Sequence, residues 1–153
     1  MKRFLTITNS IFLVVVLALS FASIVSINKI RAVEESAALL VYVSEARSAL
    51  SVFMAERGVY PNGERLILGK ENAAVLCVGE DNNTVSGFFS SAQECNGKVV
   101  MRLNEAAVTT PLLYSSKGSS YSMDFILAHP LGAYKIRGDY CATERGIVVG
   151  RCG

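Results

Sequence analysis

Residues 4–27 read FLTITNSIFLVVVLALSFASIVSI, a run with no charged side chain, preceded by the basic start Met1-Lys2-Arg3. A helix of about 24 residues at about 1.5 Å per residue covers about 36 Å, enough for the ~30 Å hydrocarbon layer of a bilayer. The chain continues past Ile27 with no Gly or Pro until Gly58. From Glu34 to Arg57 the apolar residues fall at helical spacing: Leu39, Val43, Ala46, Leu50 and Phe53 step by four and three, and Leu40, Val41, Ala49 and Met54 widen the stripe. Glu34, Glu35, Glu45, Arg47, Glu56 and Arg57 can occupy the opposite side. Gly58 is a suitable C-terminal stop, with Pro61 just beyond it.

Three readings follow for the N-terminus. As a cleaved secretory signal, Met1-Lys2-Arg3 is the basic region, Ile11 to Leu19 the apolar region and Ser20-Phe21-Ala22 the small-x-small cleavage site. The apolar run continues through Ile24, Val25 and Ile27, which is longer than a signal needs. As an uncleaved anchor, it places its N-terminus in the cytoplasm, although Lys29 and Arg31 flank the other end and weaken the charge asymmetry. As the first half of a longer stalk, it runs without a break into the amphipathic segment. A helix of this length, half in lipid and half on a domain, is far above the usual globular length.

The third reading resembles the type IV pilins and the pseudopilins of type II secretion systems. The likeness rests on the apolar helix, its amphipathic continuation and the segment Ser48-Ala49-Leu50-Ser51-Val52-Phe53-Met54-Ala55-Glu56-Arg57-Gly58-Val59-Tyr60-Pro61, which is similar to the Gly and Tyr-Pro that end the long pseudopilin helix. A second likeness is Tyr114 to Leu127, where a Gly-Ser turn precedes an alternating strand. The start departs from the family pattern. With Phe4 laid on the family's first mature Phe, Arg3 stands in place of the Gly before the peptidase cut and Thr8 in place of the Glu at the fifth mature position. The chain thus has the shape of a pilin start without its usual processing and docking residues.

Beyond Pro61 the pattern changes to short strands and turns, with Pro61-Asn62-Gly63 as turn chemistry. Ala73 to Val78 and Lys98 to Leu103 are predicted strands, broken by Glu80-Asp81-Asn82-Asn83 and Asn96-Gly97. Ser120 to Leu127 alternates Tyr121, Met123, Phe125 and Leu127 against Ser122, Asp124 and Ile126, a half-buried strand. Ala133 to Arg137 and Gly146 to Val149 are read as two more, joined by the region from Asp139 to Arg145. The expected fold is α+β: a long N-terminal helix packed on a small antiparallel sheet, with residues 1–31 as anchor and helix start and 32–153 as the exported domain.

The four cysteines, Cys77, Cys95, Cys141 and Cys152, form no CxxC pair, which disfavours a zinc ribbon or a thioredoxin-like motif. An even number behind a membrane segment reads as two disulfides formed in an oxidising compartment, with three connectivities open. The sequence-local one, Cys77 with Cys95 and Cys141 with Cys152, is favoured because each bridge closes one loop of the domain. Pilins often carry a C-terminal disulfide loop, so the resemblance implies the second of these.

The net charge of +2 is small, and the Lys and Arg residues are scattered, so no nucleic-acid partner is predicted. The single histidine, His129, lies beside Pro130 in a strand-end turn, and no second histidine exists to build a zinc site. There is no GxSxG, P-loop or HExxH motif. The serines around Lys117 read as a solvated turn. Some pseudopilins bind calcium in a loop, but Glu80-Asp81-Asn82-Asn83 lacks the EF-hand spacing, Gly and terminal Glu and reads as solvated. Asn82-Asn83-Thr84 fits a glycosylation sequon, a triplet that is common by chance.

No catalytic, cofactor-binding or metal residue is assigned. The resemblance implies a structural subunit of a type IV filament or a type II secretion pseudopilus, with the bacterial inner membrane and copies of itself or other pilin-like subunits as partners. It would be single-pass, with its C-terminal domain outside the cytoplasm. The alternative is a signal-anchored or secreted monomeric binding domain that does not polymerise.

Overall fold

With no proline or glycine to interrupt it, the chain forms one α-helix, α1, from Lys2 to Arg57 in the computed structural model, which describes residues 2–81, 84–103 and 110–153. The helix stops at Gly58, whose φ of +73° takes the left-handed conformation that glycine adopts at least cost. Its N–H donates to the Met54 carbonyl at 2.8 Å and closes the last turn.

Among the described residues eight strands follow: β1 (Gly63–Ile67), β2 (Val75–Gly79), β3 (Gly87–Phe89), β4 (Gly97–Arg102), β5 (Leu113–Ser116), β6 (Tyr121–Leu127), β7 (Gly138–Thr143) and β8 (Gly146–Val149). They form two antiparallel sheets, one of five strands in the order β1-β5-β6-β7-β8 and one of three in the order β3-β2-β4. The α+β architecture is that expected, and the strands divide into two sheets because β2 to β4 are inserted between the paired strands β1 and β5. The insert is tied down by Cys77–Cys95, and the C-terminal tail is tied to β7 by Cys141–Cys152.

The core lies between α1 and the sheets. Leu39, Val43, Ala46, Leu50 and Phe53 are all within 2 % of full burial. They join one cluster with Tyr114, Met123, Phe125, Leu127, Tyr140 and Ala142 of the large sheet and with Leu76 and Val78 of the small one. Register explains the match, because Tyr114 lies opposite Met123, Met123 opposite Ala142, and Phe125 opposite Tyr140, all on one face. The central strand β2 is buried along its whole length. Leu76 and Val78 enter the main core, while Cys77 alternates to the other face and bridges to Cys95 there.

Three expectations are corrected. Ala133 to Arg137 is no strand: Leu131 and Tyr134 exchange N–H···O bonds of 2.8 Å in a tight turn. The strand is Gly138–Thr143, in the stretch assigned to a connection, because pairing with both β6 and β8 outweighs the weak strand preference of Gly, Asp and Ala. Val41 is 58 % exposed and lies off the apolar stripe. Arg47 and Arg57, whose side chains are partly exposed, also reach back onto the domain, as described below.

Candidate functional site: the projecting helix

The helix has two halves with opposite surroundings. From Ser36 onward one face is buried in the domain, whereas the described apolar side chains nearer the N-terminus are uncovered: Leu17, Leu19, Phe21 and Ile30 are each more than 60 % exposed. At about 100° per residue, Val16, Leu17, Leu19 and Phe21 spread over more than half the circumference of the helix. A surface helix of a water-soluble domain has a single apolar stripe, and one that is apolar all round belongs in a core or a membrane. One helix among the described residues, over Leu19–Arg57, is long and apolar enough to cross a membrane by length and composition.

The polar groups in this half are consistent with an apolar medium. Ser20 and Ser23 turn their hydroxyls back onto the carbonyls of Val16 and Leu19, each at 2.8 Å, so their donors are satisfied inside the helix. Lys29 and Arg31 supply the first described charges at its end, and both are exposed. The side chains of Arg3, Phe4 and Thr8, on which the comparison with a pilin start turns, lie outside the described residues, as does Met1.

Among the described residues, besides the exposed Glu56–Lys98 ion pair at 2.8 Å, three polar latches fix the helix to the domain. Ser36 is the one buried polar residue among those described; its hydroxyl donates to the Ala32 carbonyl at 2.8 Å and accepts the His129 N–H at 3.0 Å. One turn after Val43, Arg47 donates through Nε to the Thr143 carbonyl at the end of β7, at 3.1 Å. At the C-terminal end, Arg57 donates to the carbonyls of Asp81 and Thr84 at 3.1 and 3.3 Å. Ser36 was legible in principle, because it occupies the next position of the stripe Leu39-Val43-Ala46-Leu50-Phe53. Nothing in the sequence marks Arg47 and Arg57 as latches, since their carbonyl partners are distant backbone atoms.

The remaining candidates are dispersed. His129 follows β6, half-buried, with its Nδ1 2.9 Å from the Pro130 carbonyl. Around Lys117, the Ser116 hydroxyl accepts the Gly118 N–H at 3.0 Å, closing the β5–β6 turn. Asp81 receives the Thr84 N–H on its carboxylate at 2.9 Å, a local turn, while Asn82 and Asn83 lie outside the described residues. Among the described residues no group of three His, Cys, Asp or Glu is placed to hold a metal ion.

The strongest electrostatic perturbations lie in the core. Burial raises the Tyr114 phenol well above its ordinary range, and its hydroxyl donates to the Pro61 carbonyl at 2.6 Å. Burial raises Tyr121 as well, next to Tyr60 with ring centroids 4.8 Å apart. These rings lock the end of α1 to the large sheet. Comparison with known protein families, with curated proteins and with solved structures finds no match for this chain.

Proposed function

We propose that the chain is a structural subunit, pilin-like or pseudopilin-like, held in the bacterial inner membrane by α1 until that helix packs against the helices of neighbouring subunits in a filament or secretion pseudopilus. The observation that carries this reading is the single helix whose second half is the spine of a domain core and whose described apolar side chains before it, Val16, Leu17, Leu19 and Phe21, are uncovered over more than half its circumference. A cleavable signal has no need to continue as the central helix of the mature domain. A simple anchor has no need to be rigidly continuous with it. The two disulfides support an oxidising, extracytoplasmic setting for the domain. The proposed work is assembly and surface presentation, without catalysis.

Determining the mature N-terminus by mass spectrometry tests the reading. A start at Phe4 carrying an N-methyl group is expected for pilin processing, whereas an intact Met1 would favour an anchored protein outside that processing. A start at Ser23 would remove most of the uncovered half and sink the proposal.

A further inference from the structure

The end of the domain that faces the membrane is set by strand direction. β6 runs antiparallel to α1: Tyr121 packs on Tyr60 just past the helix C-terminus, and beyond the other end of β6 the His129 N–H meets Ser36. The loop of residues 128–137 therefore lies where the helix leaves the domain. Ser36 is seven residues from Lys29, about 10 Å along the axis, and the apolar run ends at Ile27. From Ile27 to Ser36 is nine residues, about 13 Å, and one headgroup layer is about 5–8 Å thick, so the outer edge of that layer lies about 6–8 Å from the level of Ser36.

The loop has the chemistry to enter that layer. Its last three residues before β7 are Lys135-Ile136-Arg137, all three exposed, with Ile136 at 58 %. The backbone here is fixed, because the Ile136 carbonyl accepts from the hydroxyl of the buried Tyr140, against which Tyr134 packs edge-on with ring centroids 5.6 Å apart. Lys29 and Arg31 on the helix bring the exposed cations at this end to four, and none of the four forms an ion pair among the described residues. Arg151, nearby, is already spent on Asp139 at 3.3 Å. Glu34 and Glu35 stand closer to the domain than these helix cations.

We propose that the 128–137 loop is a second membrane contact, docking on the headgroups of anionic phospholipid with Ile136 as an apolar wedge between Lys135 and Arg137. The inference rests on α1 crossing the bilayer. It adds that the domain is held down on the surface and does not swing freely on its stalk. A juxtamembrane cation beside an anionic surface favours the bound state about five-fold, so the pair in the loop sets most of the preference.

The chain contains no tryptophan, so single substitutions report one site each. Ile136→Trp, Phe21→Trp and Val85→Trp are placed separately in the full chain and reconstituted in vesicles of phosphatidylcholine alone or of equal parts phosphatidylcholine and phosphatidylglycerol, with lipids brominated high on the acyl chain. Val85, 73 % exposed beside the far end of the helix, is the control. The expected result is blue-shifted, bromine-quenched emission from Ile136→Trp only with phosphatidylglycerol, abolished when Lys135→Gln and Arg137→Gln are added, with Val85→Trp unquenched. Phe21→Trp should be quenched in both vesicle types. Quenching of Phe21→Trp without quenching of Ile136→Trp overturns the loop contact and leaves the spanning helix standing. Failure of Phe21→Trp to be quenched overturns the spanning helix and the loop contact with it. A blue shift of Ile136→Trp that grows with protein-to-lipid ratio but is not quenched by bromine assigns the loop to a second copy of the chain and overturns the lipid contact.

Discussion

Ser36 and Tyr114 hold the two ends of the helix–sheet contact, and each makes a measurable prediction. Ser36→Ala leaves the His129 N–H without its acceptor in a buried setting, and we expect a loss of about 1–3 kcal/mol. Ser48→Ala, at an exposed position with the same i−4 hydroxyl bond, should change stability by no more than about 0.5 kcal/mol. Urea unfolding of the detergent-solubilised chain checks both. Tyr114→Phe removes the bond to Pro61 and should cost about 1 kcal/mol at neutral pH. Its sign in alkali is different. The folded phenols of Tyr114 and Tyr121 are raised by burial, so above the ordinary tyrosine range the unfolded chain loses protons that the folded chain keeps. Stability is full below about pH 10 and falls above it, by up to about 1.4 kcal/mol per pH unit for each tyrosine. Tyr114→Phe should lose stability more shallowly between neutral pH and strong alkali, as read from urea midpoints across that range.

At the scale of elements, the helix was legible in the sequence and the sheets only partly so. A 3.6-residue rhythm over Leu39, Val43, Ala46, Leu50 and Phe53, ended by Gly58, carries its own start and stop signals, and the observed end at Arg57 follows from them. The strand β6 was equally plain, because Tyr121, Met123, Phe125 and Leu127 alternate with polar neighbours and one of its faces meets the helix. β7 was hidden by its composition. Gly138, Asp139 and Ala142 carry little strand preference, and only the two flanking strands make this segment extended. β1, β3 and β5 were also unread, being three to five residues long and dependent on partners distant in sequence. The uncovered helix half was visible as composition, whereas the latches of the covered half, from Arg47 to Thr143 and from Arg57 to Asp81 and Thr84, depend on backbone atoms that only the fold brings near. The C-terminal bridge gives an element-scale test. Cys152 follows β8 and its N–H donates to Asp124 on β6 at 2.7 Å, so the tail lies back across two strands. Replacing Cys141 and Cys152 together by Ala should lower stability by about 3 kcal/mol, the chain-entropy value for a loop of this size. Comparing the urea midpoint of this variant with that of the parent chain measures it.

For the whole molecule, the distribution of apolar surface connects fold to function. The domain covers α1 from Ser36 onward and leaves the described apolar side chains before it uncovered, and an uncovered apolar helix has two stable surroundings, lipid or other helices. The 128–137 loop, proposed as a membrane contact, and the disulfide-tied domain are arranged around that division, with Lys135, Ile136 and Arg137 at the end where the helix emerges. The central claim is that the uncovered half serves as an assembly surface once it leaves the lipid. Its most direct test is a photo-crosslinking amino acid at Phe21 in the full chain, irradiated in cells of the native host and read by immunoblot and mass spectrometry. The account predicts a ladder of adducts whose linked peptides come from residues 4–27 of the same chain or of other pilin-like subunits, and no ladder when the crosslinker stands at the exposed Val85. Irradiation that yields only lipid adducts of a single chain at Phe21, in cells that have assembled their filaments or secretion apparatus, would contradict it.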